Sequence, residues 1–306
     1  MRLFLDAFPI RYRVILFLYI LINLVLHSFS LEGASYTHGA DAGRYFIPAL
    51  NLASGNGMGD ISSTGPLYPI YLAIHIYIFG EQNTLTAVVI SQSVLLFLTG
   101  YIASNLSKNL GLSVLPLTVV IFVIMNPNSL MITHLIQTET LFTFLLTLYF
   151  FYLYKYIKFL KLNNLIILAF LAVFISLTRP AGMYVMFFFF LISSSTLFTG
   201  SILKIWFKHN LIYLVILIIG LGSNAIYNYK IHNEYFVSAN KGFVFYDQYI
   251  ALLQYGYGLS AEEAHHKSKT ILLNRINPDL SHCVNNLTEI KCKDEISSIF
   301  INEIIN

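Results

Sequence analysis

The sequence predicts an all-α polytopic membrane protein, because its apolar residues are both abundant and gathered into long blocks. Of 306 residues, 57% are hydrophobic and 11% charged, with a mean hydropathy of +0.68, far from the composition of a soluble domain. Blocks of about 20 apolar residues can cross the hydrocarbon core as helices, which satisfy every backbone polar group in lipid. Seven transmembrane helices are therefore expected, at residues 14–30, 85–104, 112–125, 138–157, 164–178, 182–198 and 211–226.

The distribution of basic residues predicts which loops face the cytoplasm. An eighth apolar stretch, residues 66–79, has 14 residues and contains Pro69, so it is short for a span. If it does not cross, nine basic residues lie inside before the tail and two, Arg44 and Arg179, lie outside; if it crosses, the split is four against seven. The positive-inside rule favours the first arrangement. The nine inner residues are Arg2, Arg11, Arg13, Lys108, Lys155, Lys158, Lys161, Lys204 and Lys208.

This sidedness places the N-terminus in the cytoplasm and makes residues 66–79 a short helix in the outer interface. Two regions follow: a membrane module over residues 1–228, with a first outer loop at 31–84, and a polar extracytoplasmic tail of mixed structure at 229–306. In the tail, residues 260–263 resemble a helix start. The chain ends inside an amphipathic pattern, so we expect the tail to be incomplete.

The only two cysteines, Cys283 and Cys292, both fall in this tail. A disulfide between them suits an oxidising periplasm, and two unpaired thiols are the alternative. The chain has no basic tract, so no nucleic-acid partner is expected.

Glu139 is the only carboxylate between residues 82 and 233, and it begins the fourth predicted span. An acid at a membrane boundary is costly to desolvate and is therefore a candidate for function. A hydrated interfacial glutamate is the alternative. Residues 134–140 also resemble a helix N-cap region, where an acid in the first turn interacts favourably with the helix dipole.

The first outer loop carries a second candidate, Asp41, in the segment His38 to Tyr45, together with Arg44 and small residues that leave space for a ligand. A carboxylate near an apolar boundary is suited to general-base work, and Arg44 would hold it ionised. The alternative is an aspartate that caps the amphipathic segment 42–53.

Arg179 follows the fifth predicted span, on the same predicted face as Asp41 and Glu139. A guanidinium suits phosphate because its planar donors bind two oxygens at once, whereas the alternative is an arginine that reaches the lipid headgroups. His38 and His134 are candidates to join either acid around a divalent metal, but the ligand spacing is sparse and no cofactor is indicated.

Four segments, 41–45, 65–69, 137–139 and 177–180, together resemble the GT-C superfamily of integral-membrane glycosyltransferases. The most similar branch is that of the protein O-mannosyltransferases and lipid A aminoarabinose transferases. In that group an acid in the first outer loop precedes Arg-Tyr, a Pro-Leu-Tyr segment opens a juxtamembrane helix, and a second acid begins a later span. The family often has an acidic pair in the first loop, whereas here Ala42 follows Asp41.

The resemblance implies an inverting transfer of a sugar from a polyprenyl-phosphate donor to a hydroxyl on the outer face of a bacterial inner membrane. Asp41 would be the base and Glu139 a second acid. Arg44 and Arg179 are assigned to the donor phosphate by chemistry and location. The remaining candidates for acceptor contact or loop structure are His38, Tyr45 and Tyr68.

Three other classes of protein are alternatives. A transporter or flippase of lipid-linked intermediates would place charges at mid-bilayer, whereas here the acids cluster at one face. An O-antigen polymerase or ligase would carry its large polar loop late in the chain. A non-catalytic homologue is the third. The sequence specifies neither the sugar, the acceptor nor the oligomeric state.

Overall fold

The computed structural model describes residues 9–30, 42–59, 61, 64–112, 116–195, 203–233, 235, 237, 246, 249–276, 278 and 293–305. These residues are predominantly helical and include no strand, as expected of an all-α membrane protein. The chain divides into two compact units, the first formed by residues 1–61 and 65–223 and the second by residues 62–64 and 224–306.

Each predicted apolar block lies wholly or largely in a helix. The α-helices of the first unit, in chain order, are α1 (Ile10–Ser30), α2 (Ala42–Ala53), α3 (Leu67–Phe79), α4 (Glu81–Asn109), α5 (Pro116–Ile124), α6 (Pro127–Thr133), α7 (Glu139–Phe159), α8 (Leu162–Thr178), α9 (Met183–Ser195) and α10 (Leu203–His232). A short 3-10 helix, Pro180–Gly182, precedes α9. The boundary between the two units falls within α10.

The expectation of seven spans is not met. Among the described residues, three helices are long and apolar enough to cross a membrane, Glu81–Asn109, Glu139–Phe159 and Phe207–His232, or four if the bent pair α5 and α6 counts as one span. Several of the other blocks form short helices. Helix α8 has 17 residues, α9 has 13, and α5 ends before a 60° bend at Pro127. At 1.5 Å per residue, α8 extends about 25 Å, less than a typical hydrocarbon core.

Helix α4 organises the packing of the first unit, because it contacts α1, α3, α5 and α7. Gly100 lets α5 approach closely, since a Cβ there would lie 3.2 Å from the Val120 Cα. Helices α7 and α8 form an antiparallel hairpin that turns at Leu160, which has φ 49°. The far ends of this hairpin, at Glu139 and Arg179, therefore lie side by side.

Two predicted non-spanning helices of the first loop are present. The amphipathic segment 42–53 is helix α2, and residues 66–79 form α3, with Pro66 at its N-cap position. Helix α3 has 13 residues, about 20 Å of helix, too short to span a bilayer. Helices α2 and α3 pack together, and Ala49 and Tyr68 are fully buried.

The described residues of the second unit form a small helical core. It contains a one-turn π-helix, Leu252–Gly256, and helices α11 (Ala261–Arg275) and α12 (Lys293–Ile305). The predicted helix start is confirmed, because the Ser260 hydroxyl and the Glu263 carboxylate form a reciprocal capping box. Leu253, Leu272 and Phe300 are among the buried core residues. Cys283 and Cys292 lie outside the described residues, so their pairing stays a prediction.

Candidate functional site at the ends of helices α7 and α8

An ion pair joins the first residue of α7 to the residue that follows α8. Arg179 donates from Nη1 to Oε1 of Glu139 over 2.9 Å, and the guanidinium carbon lies 5.8 Å from the centre of the Phe142 ring. The two side chains are 41% and 32% exposed, so a ligand can reach both. The second carboxylate oxygen, Oε2 of Glu139, is buried and has no hydrogen-bond partner among the described residues. It is a buried acceptor without a hydrogen-bond donor, beside a cation.

The local sequence explains why Arg179 ends its helix. Proline disfavours helical geometry in the residue before it, and Arg179, which precedes Pro180, is extended with φ −144° and ψ 138°. The chain then turns back tightly, because a Cβ at Gly182 would lie 2.5 Å from the Ile175 carbonyl oxygen. Only glycine permits this approach, and the turn leaves Arg179 at the rim of the hairpin.

Glu139 is presented by a non-helical connector, residues 134–138. Thr138 occupies the N-cap position of α7 and is 1% exposed, but its side chain makes no capping hydrogen bond. Glu139 lies in the first turn, where the helix dipole favours a negative charge, as the sequence predicted. The position of this carboxylate therefore depends on whatever holds the connector.

Gln92 of α4 holds that connector. Its side-chain nitrogen donates to the carbonyl oxygens of Thr133 and Leu135, both at 3.0 Å, and its Oε1 accepts from the Tyr68 hydroxyl at 3.2 Å. Gln92 is 0% exposed, and each of its side-chain polar atoms is bonded. A buried amide with these bonds is costly to replace by an apolar residue, because both carbonyls and the phenol would lose a partner.

Tyr68 links the first loop to this cluster. It is fully buried, its ring meets the Tyr45 ring edge-on with centroids 5.2 Å apart, and it stacks on Tyr71 at 5.6 Å. Burial raises the pKa of the Tyr68 phenol well above its usual range, and the neighbouring Tyr71 and Glu139 act in the same direction. The phenol therefore stays protonated and donates to Gln92.

The loop that leads into Tyr68 is itself pressed against α8. A Cβ at Gly65 would lie 1.9 Å from the Leu177 carbonyl oxygen and 2.5 Å from its carbon. Gly65 and Thr178 are both buried. The structure thus brings the segments 65–69, 137–139 and 177–180 together, and with them Tyr45, Tyr68, Glu139 and Arg179.

The structure does not place the remaining predicted site residues at this pair. His38 and Asp41 lie outside the described residues, and Ala42, which follows Asp41, is 1% exposed at the start of α2. Arg44 is half-buried on α2 and already has an interaction partner. No distance places it on the Glu139–Arg179 pair.

The described residues give no support to a metal site, because they contain no group of three histidine, cysteine or acidic side chains. His134 instead bonds through Nε2 to Oδ1 of Asn23 in α1, at 3.0 Å. Thr133 bonds to the same oxygen at 3.1 Å. This contact anchors the start of the connector to α1.

Sequence reasoning missed Gln92 and Asn23. Both are polar residues inside apolar blocks, and such residues have to find partners in a membrane helix. A polar residue inside an apolar block can be recognised in the sequence, but the sequence does not indicate which segment its side chain would bind. Comparison of the chain with protein-family models, curated proteins and solved structures found no match.

Proposed function

We propose that this multi-pass membrane protein transfers a sugar from a polyprenyl-phosphate donor to a hydroxyl acceptor at the outer face of the membrane. The observation that supports this most directly is the Glu139–Arg179 pair, a partly exposed cation beside a partly exposed carboxylate with one unsatisfied oxygen. A cation stabilises the negative charge of the departing phosphate, and a carboxylate oxygen accepts a hydrogen bond from an incoming hydroxyl.

In the proposed reaction the acceptor hydroxyl gives its proton to the Asp41 carboxylate. The acceptor oxygen attacks the anomeric carbon from the face opposite the phosphate, a new glycosidic bond forms, and the bond from the anomeric carbon to the phosphate oxygen breaks. The lipid phosphate leaves as an anion, so charge develops where a fixed cation stabilises it. Inversion at the anomeric carbon follows from the single displacement.

Asp41 is assigned as the base because of its place in the chain. It directly precedes α2, whose Ala42 is buried and whose Tyr45 contacts Tyr68. Tyr68 in turn donates to Gln92, which holds the connector that presents Glu139. Helix α2 is thus tied through one tyrosine to the pair, which supports placing the residue before it near the same site.

The ion pair refines the part proposed for Arg179. One guanidinium nitrogen is committed to Glu139, so Arg179 would bind a donor phosphate while still holding the carboxylate that receives the acceptor. We therefore propose that Glu139 orients the acceptor and Arg179 the leaving phosphate, with Arg44 as a further cation on α2. The donor lipid also accounts for the apolar helices around the site, because a lipid-anchored substrate has to be met at the membrane.

The test is sugar transfer from a labelled polyprenyl-phosphate sugar by membranes that contain the wild-type chain or Asp41→Asn. We expect loss of transfer by about 100-fold or more, the usual effect of removing a general base. Asp60→Asn in the same loop is the matched control and should transfer like wild type. Equal transfer by wild type and Asp41→Asn would exclude Asp41 as the base, and no transfer by wild type with any such donor would refute the proposed reaction.

A further inference from the structure

The end of the helical bundle opposite the Glu139–Arg179 pair collects lysines from three helices. The Tyr154 hydroxyl donates to the Asn109 carbonyl at 2.8 Å, and the Tyr156 hydroxyl bonds to Nδ1 of His209 at 2.9 Å. These two bonds tie the C-terminal end of α7 to the last residue of α4 and to the start of α10. Lysines at this end, here named the lysine end, are Lys108, Lys155, Lys158, Lys161 and Lys208.

Three of these lysines are held against aromatic rings. The Lys155 ammonium lies 4.4 Å from the Phe151 ring centre, and that of Lys158 lies 5.5 Å from the Phe159 ring centre. Lys161 approaches the Phe159 ring at 5.9 Å. Lys158 Nζ also donates to the Tyr154 hydroxyl at 3.4 Å. Such contacts restrict each long side chain while leaving its ammonium at the surface.

The charge at the lysine end has no acidic counterpart in this stretch of the sequence. Between residues 82 and 233 the only carboxylate is Glu139, which begins α7, whereas Lys158 lies near the end of α7. Their separation of 19 positions corresponds to about 28 Å of helix, well beyond the screening length at physiological salt. The excess of positive charge in this stretch therefore favours a ligand that carries negative charge.

Large apolar side chains next to these lysines in the sequence are exposed. The exposed fractions are 46% for Ile157, 54% for Phe159, 37% for Leu160 and 37% for Leu162. A soluble anion makes no favourable contact with these apolar side chains. An anionic lipid can pack its acyl chains on them while its headgroup binds the lysines. The lysines and the apolar side chains beside them are therefore suited to an anionic lipid, which has both a charged headgroup and acyl chains.

We propose that Lys155, Lys158 and Lys161, at the turn between α7 and α8, bind the phosphate headgroup of an anionic membrane lipid, whose acyl chains lie along Ile157, Phe159 and Leu162. The site is separate from the Glu139–Arg179 pair and does not depend on the proposed reaction. Its function would be to fix the α7–α8 hairpin in the leaflet at this end of the bundle.

The experiment measures lipid binding to the purified full-length chain by native mass spectrometry and by lipid titration, with phosphatidylglycerol and phosphatidylcholine as probes. We expect the wild-type chain to prefer phosphatidylglycerol and to lose that preference as salt is raised. Lys158→Gln with Lys161→Gln should weaken phosphatidylglycerol binding about thirtyfold, at about 1 kcal/mol per lysine. Lys158→Arg with Lys161→Arg should keep it.

The matched control is Lys267→Gln with Lys269→Gln on α11, which removes the same charge from the second unit and should leave the affinity within a factor of two of wild type. Equal affinity for the two lipids, or equal loss in both glutamine pairs, would overturn the proposal. Competition by soluble glycerol phosphate at the same concentration would indicate a site for free phosphate, and displacement by an oligonucleotide a nucleic-acid surface. If the Lys158 and Lys161 glutamine variant fails to fold, the salt dependence of wild-type binding still decides, because a salt-independent preference would refute an electrostatic headgroup site.

Discussion

Arg179 and Glu139 lie 40 residues apart in the sequence and 2.9 Å apart in the structure, where they close the open end of the α7–α8 hairpin. Because both side chains are partly exposed, their attraction is screened by solvent, and a pair of this kind stabilises a fold by about 0.2–1 kcal/mol. We therefore expect the pair to matter more for ligand binding than for folding, and this difference can be measured.

Replacement of Glu139 by glutamine should separate the effect of the pair on activity from its effect on folding. We expect transfer to fall by about 100-fold, as when a positioned acid is lost, while the free energy of unfolding changes by less than about 1 kcal/mol. Glu81→Gln is the matched control, because Glu81, like Glu139, is an acid in the first turn of its helix but is exposed. Loss of folding in Glu139→Gln alone would mean that the carboxylate is structural.

Arg179→Lys should raise the KM for the lipid-phosphate donor more than it lowers kcat. Lysine keeps the positive charge but cannot bond the carboxylate and a phosphate with one planar group. When Arg179→Lys is combined with Glu139→Gln, the fold-decrease in kcat/KM should be smaller than the product of the two single decreases, because the two residues act together. Fully multiplicative losses would contradict a shared site.

Gln92→Leu should destabilise the protein by about 1–3 kcal/mol, because two backbone carbonyls and the Tyr68 phenol lose a buried partner. Transfer should also fall, since the connector that presents Glu139 is no longer held. Gln82→Leu, at an exposed position of the same helix, is the control and should unfold like wild type. Thermal unfolding in detergent gives the comparison; an unchanged midpoint in Gln92→Leu would show that the connector is held by other contacts.

Gly65→Ala should be strongly destabilising, because its Cβ would lie 1.9 Å from the Leu177 carbonyl oxygen and the loop has to move away from α8. We expect a lower unfolding temperature and reduced transfer. At Gly43, in helix α2, a Cβ would meet nothing within 4 Å, so Gly43→Ala should be neutral or stabilising, by up to about 1 kcal/mol. Similar behaviour of the two variants would show that the loop does not pack on α8 in the membrane.

The cap of α11 should give a pH-dependent helix start. Bonds from the Ser260 hydroxyl and backbone hold the pKa of the Glu263 carboxyl below its ordinary value of 4.5. Because the folded pKa is the lower one, the capping contribution is present above pH 4.5 and is lost as the pH falls through the folded value. Carboxyl NMR should show a Glu263 pKa that rises towards 4.5 in Ser260→Ala, and Glu262→Gln should leave it unchanged.

Much of the local structure was predictable from composition and pattern. The apolar blocks predicted the long helices, and the amphipathic segment predicted α2 over residues 42–53. Residues 260–263 predicted the start of α11. These features depend on neighbours within one or two turns, so a sequence pattern contains them. The prediction of seven spans was wrong because several of the helices are short: α8, which ends before Pro180, has 17 residues, and the helix pair on either side of Asn126 is bent by 60°.

The sequence by itself determined that the chain is a helical membrane protein, that Glu139 is a lone acid among apolar blocks, and which residues begin and end several helices. Only the tertiary structure decided that Glu139 pairs with Arg179, that Gln92 holds the connector that precedes Glu139, and that Gly65 has to be a glycine. The physical reason is range. Apolar burial and helix capping act over a few residues, whereas an ion pair or a buried amide chooses its partner from segments that packing brings together from distant parts of the chain.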